Sequence, residues 1–140
     1  MNINSCSFCS IGQGQEDAQV VYEDVDTVAF FPLHPATPGH TLLIPRAHFP
    51  DMFSLDEEAA TSLARATLKV ARGIREALNP EGMNMINSAG EAASQTVFHV
   101  HVHLVPRWHG DRIGNIWPPK RDLDYQVEEG LAERIRAYLH

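Results

Sequence analysis

At 140 residues, with 44% hydrophobic and 21% charged residues, the chain has the makeup of one globular domain over 1–140. Eleven Lys+Arg against 18 Asp+Glu give a net charge of −7, which excludes the basic footprint of a binder of long nucleic acid. A small phosphorylated ligand needs only a local pocket. No run approaches the ~20 apolar residues that cross a bilayer, and the start MNINSCSFCSIGQGQ lacks a basic end and an apolar stretch, so no signal peptide and no membrane partner are expected. The unusual number is eight histidines, at His34, His40, His48, His99, His101, His103, His109 and His140.

Cys6 and Cys9 open the chain with C-x-x-C spacing. In a reducing, cytoplasmic setting this reads as redox or metal chemistry rather than a disulfide framework. Residues 20–22 and 27–31 are short β-branched and aromatic runs, and the acidic stretch 23–26 between them suits a hairpin turn. Three prolines and a glycine make 32–39 irregular. Residues 41–44 predict a strand stopped by Pro45.

Ser54 with Glu57 three residues on predicts a capping box opening a helix over 55–78. Its stripe is Leu55, Ala59, Leu63, Ala66, Val70, Ile74 and Leu78, and Asn79-Pro80 ends it. A strand over 82–87 and a small, polar loop over 88–94 follow. The clearest strand is 96–105, TVFHVHVHLV. Phe98, Val100, Val102 and Leu104 face one way; Val97, His99, His101, His103 and Val105 face the other. Pro106 ends it, 109–121 is irregular, and 123–139 predicts a terminal helix with Leu123, Val127, Leu131, Ile135 and Tyr138 on one stripe and Gly130 within it. The expected fold is α+β: an antiparallel sheet of about five strands, one long helix and a C-terminal helix.

Alternate histidines on one strand would space three imidazoles roughly 6.5–7 Å apart. Three readings stay open: a solvent-facing polar row, three ligands on one catalytic metal, and nucleophilic attack by imidazole on phosphorus. Spacing near 7 Å is long for one ion with bonds of ~2.0 Å. In the third reading the neighbours bind phosphate oxygens and assist the leaving group.

The segment from Gln95 to Val105, QTVFHVHVHLV, resembles the signature of the histidine triad (HIT) family of nucleotide-binding proteins. PATPGHTLLIPR, over 35–46, and Asn87-Ser88-Ala89-Gly90 resemble two further landmarks of that family, in its order and spacing. The resemblance implies a HIT-like fold, a homodimer, and hydrolysis or nucleotidyl transfer at the α-phosphorus of dinucleoside polyphosphates or nucleoside phosphoramidates. It implies His101 as the nucleophile, forming a nucleotidyl-histidine intermediate. His103 would bind phosphate or assist the leaving group, and the His99 carbonyl would orient His101. Asn87, Gln95 and Thr96 would contact phosphate, His40 would line the site, and Phe8, Ile11, Phe30 and Leu33 would form the base pocket. Packing in the core is the competing role for those four.

Where many family members carry Asp or Asn for the ribose hydroxyls, this chain has Pro32, which offers neither acceptor side chain nor N–H. The ribose is then left to another residue or weakly read. The early C-x-x-C is similar to that of a bacterial subset with structural zinc, which implies Cys6, Cys9, His48 and His99 as ligands. Gln95-Thr96-Val97 and Pro106-Arg107 with nearby Gly110-Asp111 resemble the Fhit-like branch, and the early C-x-x-C the Hint-like branch. A second functional reading is a nucleotide-sensing or partner-regulating module with little catalysis. The segment 108–121 is assigned no role.

Overall fold

The computed structural model describes residues 5–139; residues 1–4 and His140 lie outside the described residues. Five strands form one sheet in the order β1-β2-β3-β5-β4, every pair antiparallel. They are β1 (Val20–Glu23), β2 (Thr27–Phe30), β3 (Thr41–Pro45), β4 (Gly82–Ile86) and β5 (Val102–Arg107). Three α-helices accompany them: α1 (Ser7–Gly12), α2 (Glu57–Leu78) and α3 (Tyr125–Arg136). The expected α+β architecture is the observed one. No described helix is long and apolar enough to cross a membrane.

The acidic turn between β1 and β2 is built by Asp24. Its Oδ1 accepts from the backbone N–H of Asp26 and Thr27 and from the Thr27 hydroxyl, at 2.8–2.9 Å. The short polar side chain thus replaces a backbone turn partner. Period-two alternation then divides the buried strands between two cores. Val28, Phe30, Leu42 and Ile44 pack with Cys6, Phe8 and Cys9 under α1. Ala29, Leu43 and Leu104 pack on the other face with Leu63, Ala66 and Val70 of α2.

Local expectations are corrected at several points. The long helix starts at Glu57, not Leu55, and its N-cap is Asp56, whose side chain accepts from Ala59 N at 2.8 Å. Ser54 instead completes a capping box with Asp51 around a 3-10 turn over Met52–Ser54. Asp56 lies two residues beyond Ser54, and its carboxylate complements the dipole of the long helix. The 96–105 strand shrinks to Val102–Arg107. Upstream, the chain bends because Val100 N–H donates to the Phe49 carbonyl at 2.6 Å instead of joining the ladder. The in–out alternation survives without it: His99 and Val97 turn to the α1 face, Val100 and Val102 to the α2 face.

β3 ends on Pro45, which still pairs with Thr27, whereas Pro106, expected to end its strand, lies within β5 and pairs with Met83. Each uses its carbonyl: Pro45 O accepts from the His99 ring and Pro106 O from the Thr37 hydroxyl. The terminal helix spans Tyr125–Arg136, capped by Asp124. Within the loop at 88–94 lies a 3-10 turn, Glu91–Ala93. The six-residue α1, which sequence periodicity did not reveal, is N-capped by the Cys6 side chain accepting from Cys9 N.

The cap assignment has a direct check. Asp56→Ala should lower unfolding free energy by about 1 kcal/mol, and Ser54→Ala by less than about half of that, because Ser54 closes only a single exposed turn. Urea denaturation of both variants measures the difference; equal losses would return the cap to Ser54.

Candidate active site and metal centre

α2 covers one face of the sheet. The histidines gather on the other, where α1 covers the strands only in part. His99 and His101 come from the bend before β5 and His103 from β5 itself, His40 from the entry to β3 and His48 from just beyond it. His99 is fully buried, while His101 and His40 are each 7% exposed.

Each ring is held by a named partner. His99 Nε2 lies 2.8 Å from the Pro45 carbonyl, which can only accept, so the ring donates there and its Nδ1 carries the lone pair. That Nδ1 sits 3.5 Å from both Cys6 Sγ and Cys9 Sγ, and His48 Nδ1 sits 3.2 Å from Cys9 Sγ. The four ligand atoms of Cys6, Cys9, His48 and His99 all lie within 4.8 Å of one another. A tetrahedral ion with bonds of about 2.0–2.3 Å needs ligand atoms about 3.3–3.8 Å apart, which the measured 3.2 and 3.5 Å contacts approach. The donor set also fits chemically. Burial, then the neighbouring Cys6, push the Cys9 thiol up to about 11, so a thiolate here calls for a cation. The Pro45 carbonyl supplies the outer-shell acceptor that metal-bound imidazoles use.

His101 Nδ1 donates to the His99 carbonyl at 2.8 Å. Its Nε2 therefore keeps a lone pair. The Asn87 side chain donates to the His101 carbonyl at 2.8 Å and fixes the main chain beneath the ring. Phe8, carried on α1 between the two cysteines, meets the His101 ring edge-on, with centroids 5.2 Å apart. The His101 and His103 ring centroids are 4.9 Å apart, edge to face at an interplanar angle of 67°, closer than the regular strand spacing expected from sequence. His40 Nε2 lies 2.9 Å from His103 Nδ1. No buried side-chain nitrogen or oxygen lacks a partner among the described residues, so the remaining Nε2 atoms of His101 and His103 open to solvent.

Burial holds this cluster neutral. It pushes His99 and His103 down to about 4, with neighbouring imidazoles adding to the shift, and lowers His40 and His101. A neutral His101 is a nucleophile, whereas an imidazolium is not.

The other candidates divide. Phe8, Ile11 and Phe30 pack in or against the core cluster under α1; only Phe8 among them has a ring contact with the triad. Leu33 is 93% exposed and joins none of them. The Gln95 amide is fully used on backbone: it donates to the Pro50 and Val97 carbonyls and accepts from Gly90 N–H. It shapes the loop and has no group left for phosphate. Thr96 is exposed and Pro32 half-buried. His34 is exposed, and His109 pairs with Glu81 on the surface, Nδ1 to Oε2 at 2.6 Å. The sequence reading missed the Pro45 carbonyl and the α1 cap, since backbone acceptors leave no mark in residue type.

Three alternating histidines on one face of the sheet, the first of them, His99, buried against a Cys-Cys-His cluster, define a histidine triad protein. A HIT domain model matches residues 13–110. A crystal structure of a HIT family member from Bacillus subtilis is 35% identical, covers 97% of this chain and 98% of its own, and superimposes with a TM-score of 0.90. A zinc-bound histidine triad family protein from Mycobacterium smegmatis is 35% identical with TM-score 0.74, covering 97% and 99%. A hypothetical histidine triad nucleotide-binding protein from Sulfolobus tokodaii is 34% identical with TM-score 0.72, covering 94% and 90%. The chain belongs to the HIT family.

The neutral cluster makes stability pH-dependent. In the unfolded chain His103 titrates near 6.5, whereas folded His103 stays neutral down to about 4. Between those values the unfolded state binds more protons, so stability present above pH 6.5 is lost as pH falls toward 4. Thermal melts from pH 7 to 5 should show a steeper fall in Tm for the wild type than for His103→Gln. Parallel curves would mean that His103 is not held neutral.

Proposed function

We propose that the protein is a nucleotide hydrolase or nucleotidyl transferase that attacks the α-phosphorus of a dinucleoside polyphosphate or nucleoside phosphoramidate. The observation that carries this reading is the bond from His101 Nδ1 to the His99 carbonyl, 2.8 Å long. It aims the Nε2 lone pair away from the backbone, toward the open face. A nitrogen–phosphorus bond forms at Nε2 as the bond from phosphorus to the leaving group breaks. Water then cleaves the nucleotidyl-histidine and releases a nucleoside monophosphate. Splitting one displacement into two is how a nucleophilic side chain lowers the barrier. His103 stands beside the reacting ring to bind a phosphate oxygen or support the departing group, with His40 hydrogen-bonded behind it. The family relationship and the nucleotide-binding relative from Sulfolobus tokodaii support a nucleotide ligand.

Cys6, Cys9, His48 and His99 are assigned to a structural zinc, supported by the Cys/His cluster and the zinc-bound Mycobacterium smegmatis relative. The ion would supply cross-linking of the N-terminus to the catalytic hairpin. These residues hold α1, and with it Phe8, against His101. We further assign the working form to a cytoplasmic homodimer. A nucleotide sensor is the second reading, favoured by Pro32 where a ribose acceptor would stand; a sensor forms no covalent adduct.

Two experiments test these assignments. With 32P-labelled substrate, quenched wild type should carry label on histidine, and His101→Ala should lose at least about 10³-fold in turnover while binding nucleotide within a few-fold. Adduct-free wild type, or an active His101→Ala, overturns the nucleophile. Purified protein should contain one zinc per chain, lost in Cys6→Ser/Cys9→Ser with a lower Tm. Metal-free protein with an unchanged Tm would remove the zinc assignment.

A further inference from the structure

The loop before β3 holds a hydrogen bond whose direction admits no choice. The backbone N–H of Ala36 points at His40 Nδ1 from 3.0 Å. A backbone N–H can only donate, so Nδ1 must be the bare nitrogen of His40. The neutral His40 ring then carries its one proton on Nε2, and Nε2 lies 2.9 Å from His103 Nδ1. That proton is donated to His103, so His103 Nδ1 is also bare, and the His103 proton sits on Nε2.

We propose that the turn over 36–40 is a tautomer lock, which makes His103 present an N–H rather than a lone pair to the substrate, and that Thr37 is its positioning residue. The inference rests on the assignment of His101 and His103 to phosphate chemistry and deepens it.

The turn is built for this. Thr37, Pro38, Gly39 and His40 form a β-turn closed by His40 N–H donating to the Thr37 carbonyl at 3.1 Å. Pro38 and Gly39 are the residue types a type II turn needs at its second and third positions, and Gly39 has φ +82°. A Cβ at Gly39 would also run into the Leu78 side chain. The buried Thr37 hydroxyl donates to the Pro106 carbonyl at 2.7 Å, which staples the turn to β5, the strand that carries His103. Ala36 N, His40 and His103 are thereby fixed in one frame.

The chemical consequence is specific. His101 faces phosphorus with a lone pair at Nε2, and His103 beside it offers a proton at Nε2. The two neighbouring rings have opposite polarity at the atoms that meet the substrate. With the reverse tautomers His103 would turn a lone pair on a phosphate oxygen, a repulsive contact. The lock also opposes a doubly protonated His40, because a proton on Nδ1 would confront the Ala36 N–H. His103 therefore acts as a neutral donor, held by backbone geometry and needing no imidazolium.

Long-range 1H–15N correlation spectra of the 15N-histidine-labelled, metal-replete protein read the tautomers directly. Expected are Nε2–H on His40 and His103 and Nδ1–H on His101. Ala36→Pro deletes the donor, and Thr37→Val cuts the staple without removing a group that touches substrate. Both should convert His103 to a mixture of tautomers, with Thr37→Ser restoring the single form. In Thr37→Val kcat should fall about tenfold with KM within about twofold, the pattern of an interaction made in the transition state. His103 found as Nδ1–H in the wild type, or as pure Nε2–H in both Ala36→Pro and Thr37→Val, overturns the lock. Absence of turnover with every nucleotide, together with the stated tautomers, sinks the catalytic assignment and supports the lock, since the spectra need no substrate.

Discussion

The hydrogen bond from the His101 ring to the His99 carbonyl joins the two halves of this molecule's chemistry in one residue. The His99 side chain belongs to the sulfur-rich cluster, its nitrogen 3.5 Å from each cysteine. Its main chain belongs to the neighbouring imidazole. Whatever fixes the His99 ring thus fixes the acceptor that orients His101. Burial makes the arrangement strict, because a fully buried ring cannot exchange these partners for water.

The sheet keeps structure and chemistry on separate faces. α2 buries an aliphatic layer against Ala29, Leu43 and Leu104, and that face has no ring of the triad. The other face carries Val28, Phe30, Leu42 and Ile44 under a helix of six residues. So short a helix has little intrinsic stability. Its position follows from what lies at its start: Cys6 caps it, Cys9 sits within it, and Phe8 between them packs on Phe30, His99 and His101.

The amino-acid order made much of this legible. The strands, the long helix and the alternation of the histidine segment follow from apolar period and turn residues. The four-residue Cys/His set came from a resemblance, and the folded chain brings those side chains together. Other features lay beyond local pattern. The helix is capped by Asp56 and not by Ser54, whose side chain closes the preceding 3-10 turn with Asp51. The histidine strand lost its first half because of a bond to Phe49, about fifty positions away in sequence. Gln95 looked like a phosphate contact, but three backbone partners consume its amide. Leu33, an apolar residue that could have lined a pocket, is 93% exposed in the fold.

The partners that orient His99, His101 and His40 are the Pro45 carbonyl, the His99 carbonyl and the Ala36 N–H, all main-chain atoms. Side-chain replacement at those three positions need not remove the groups themselves. A site polarised in this way tolerates side-chain drift at Pro45 and Ala36, whereas at His99 the ring itself holds the polarising carbonyl in place. Mutational surveys that truncate side chains one at a time would map the rings in full and pass over the atoms that tell each ring which nitrogen to offer.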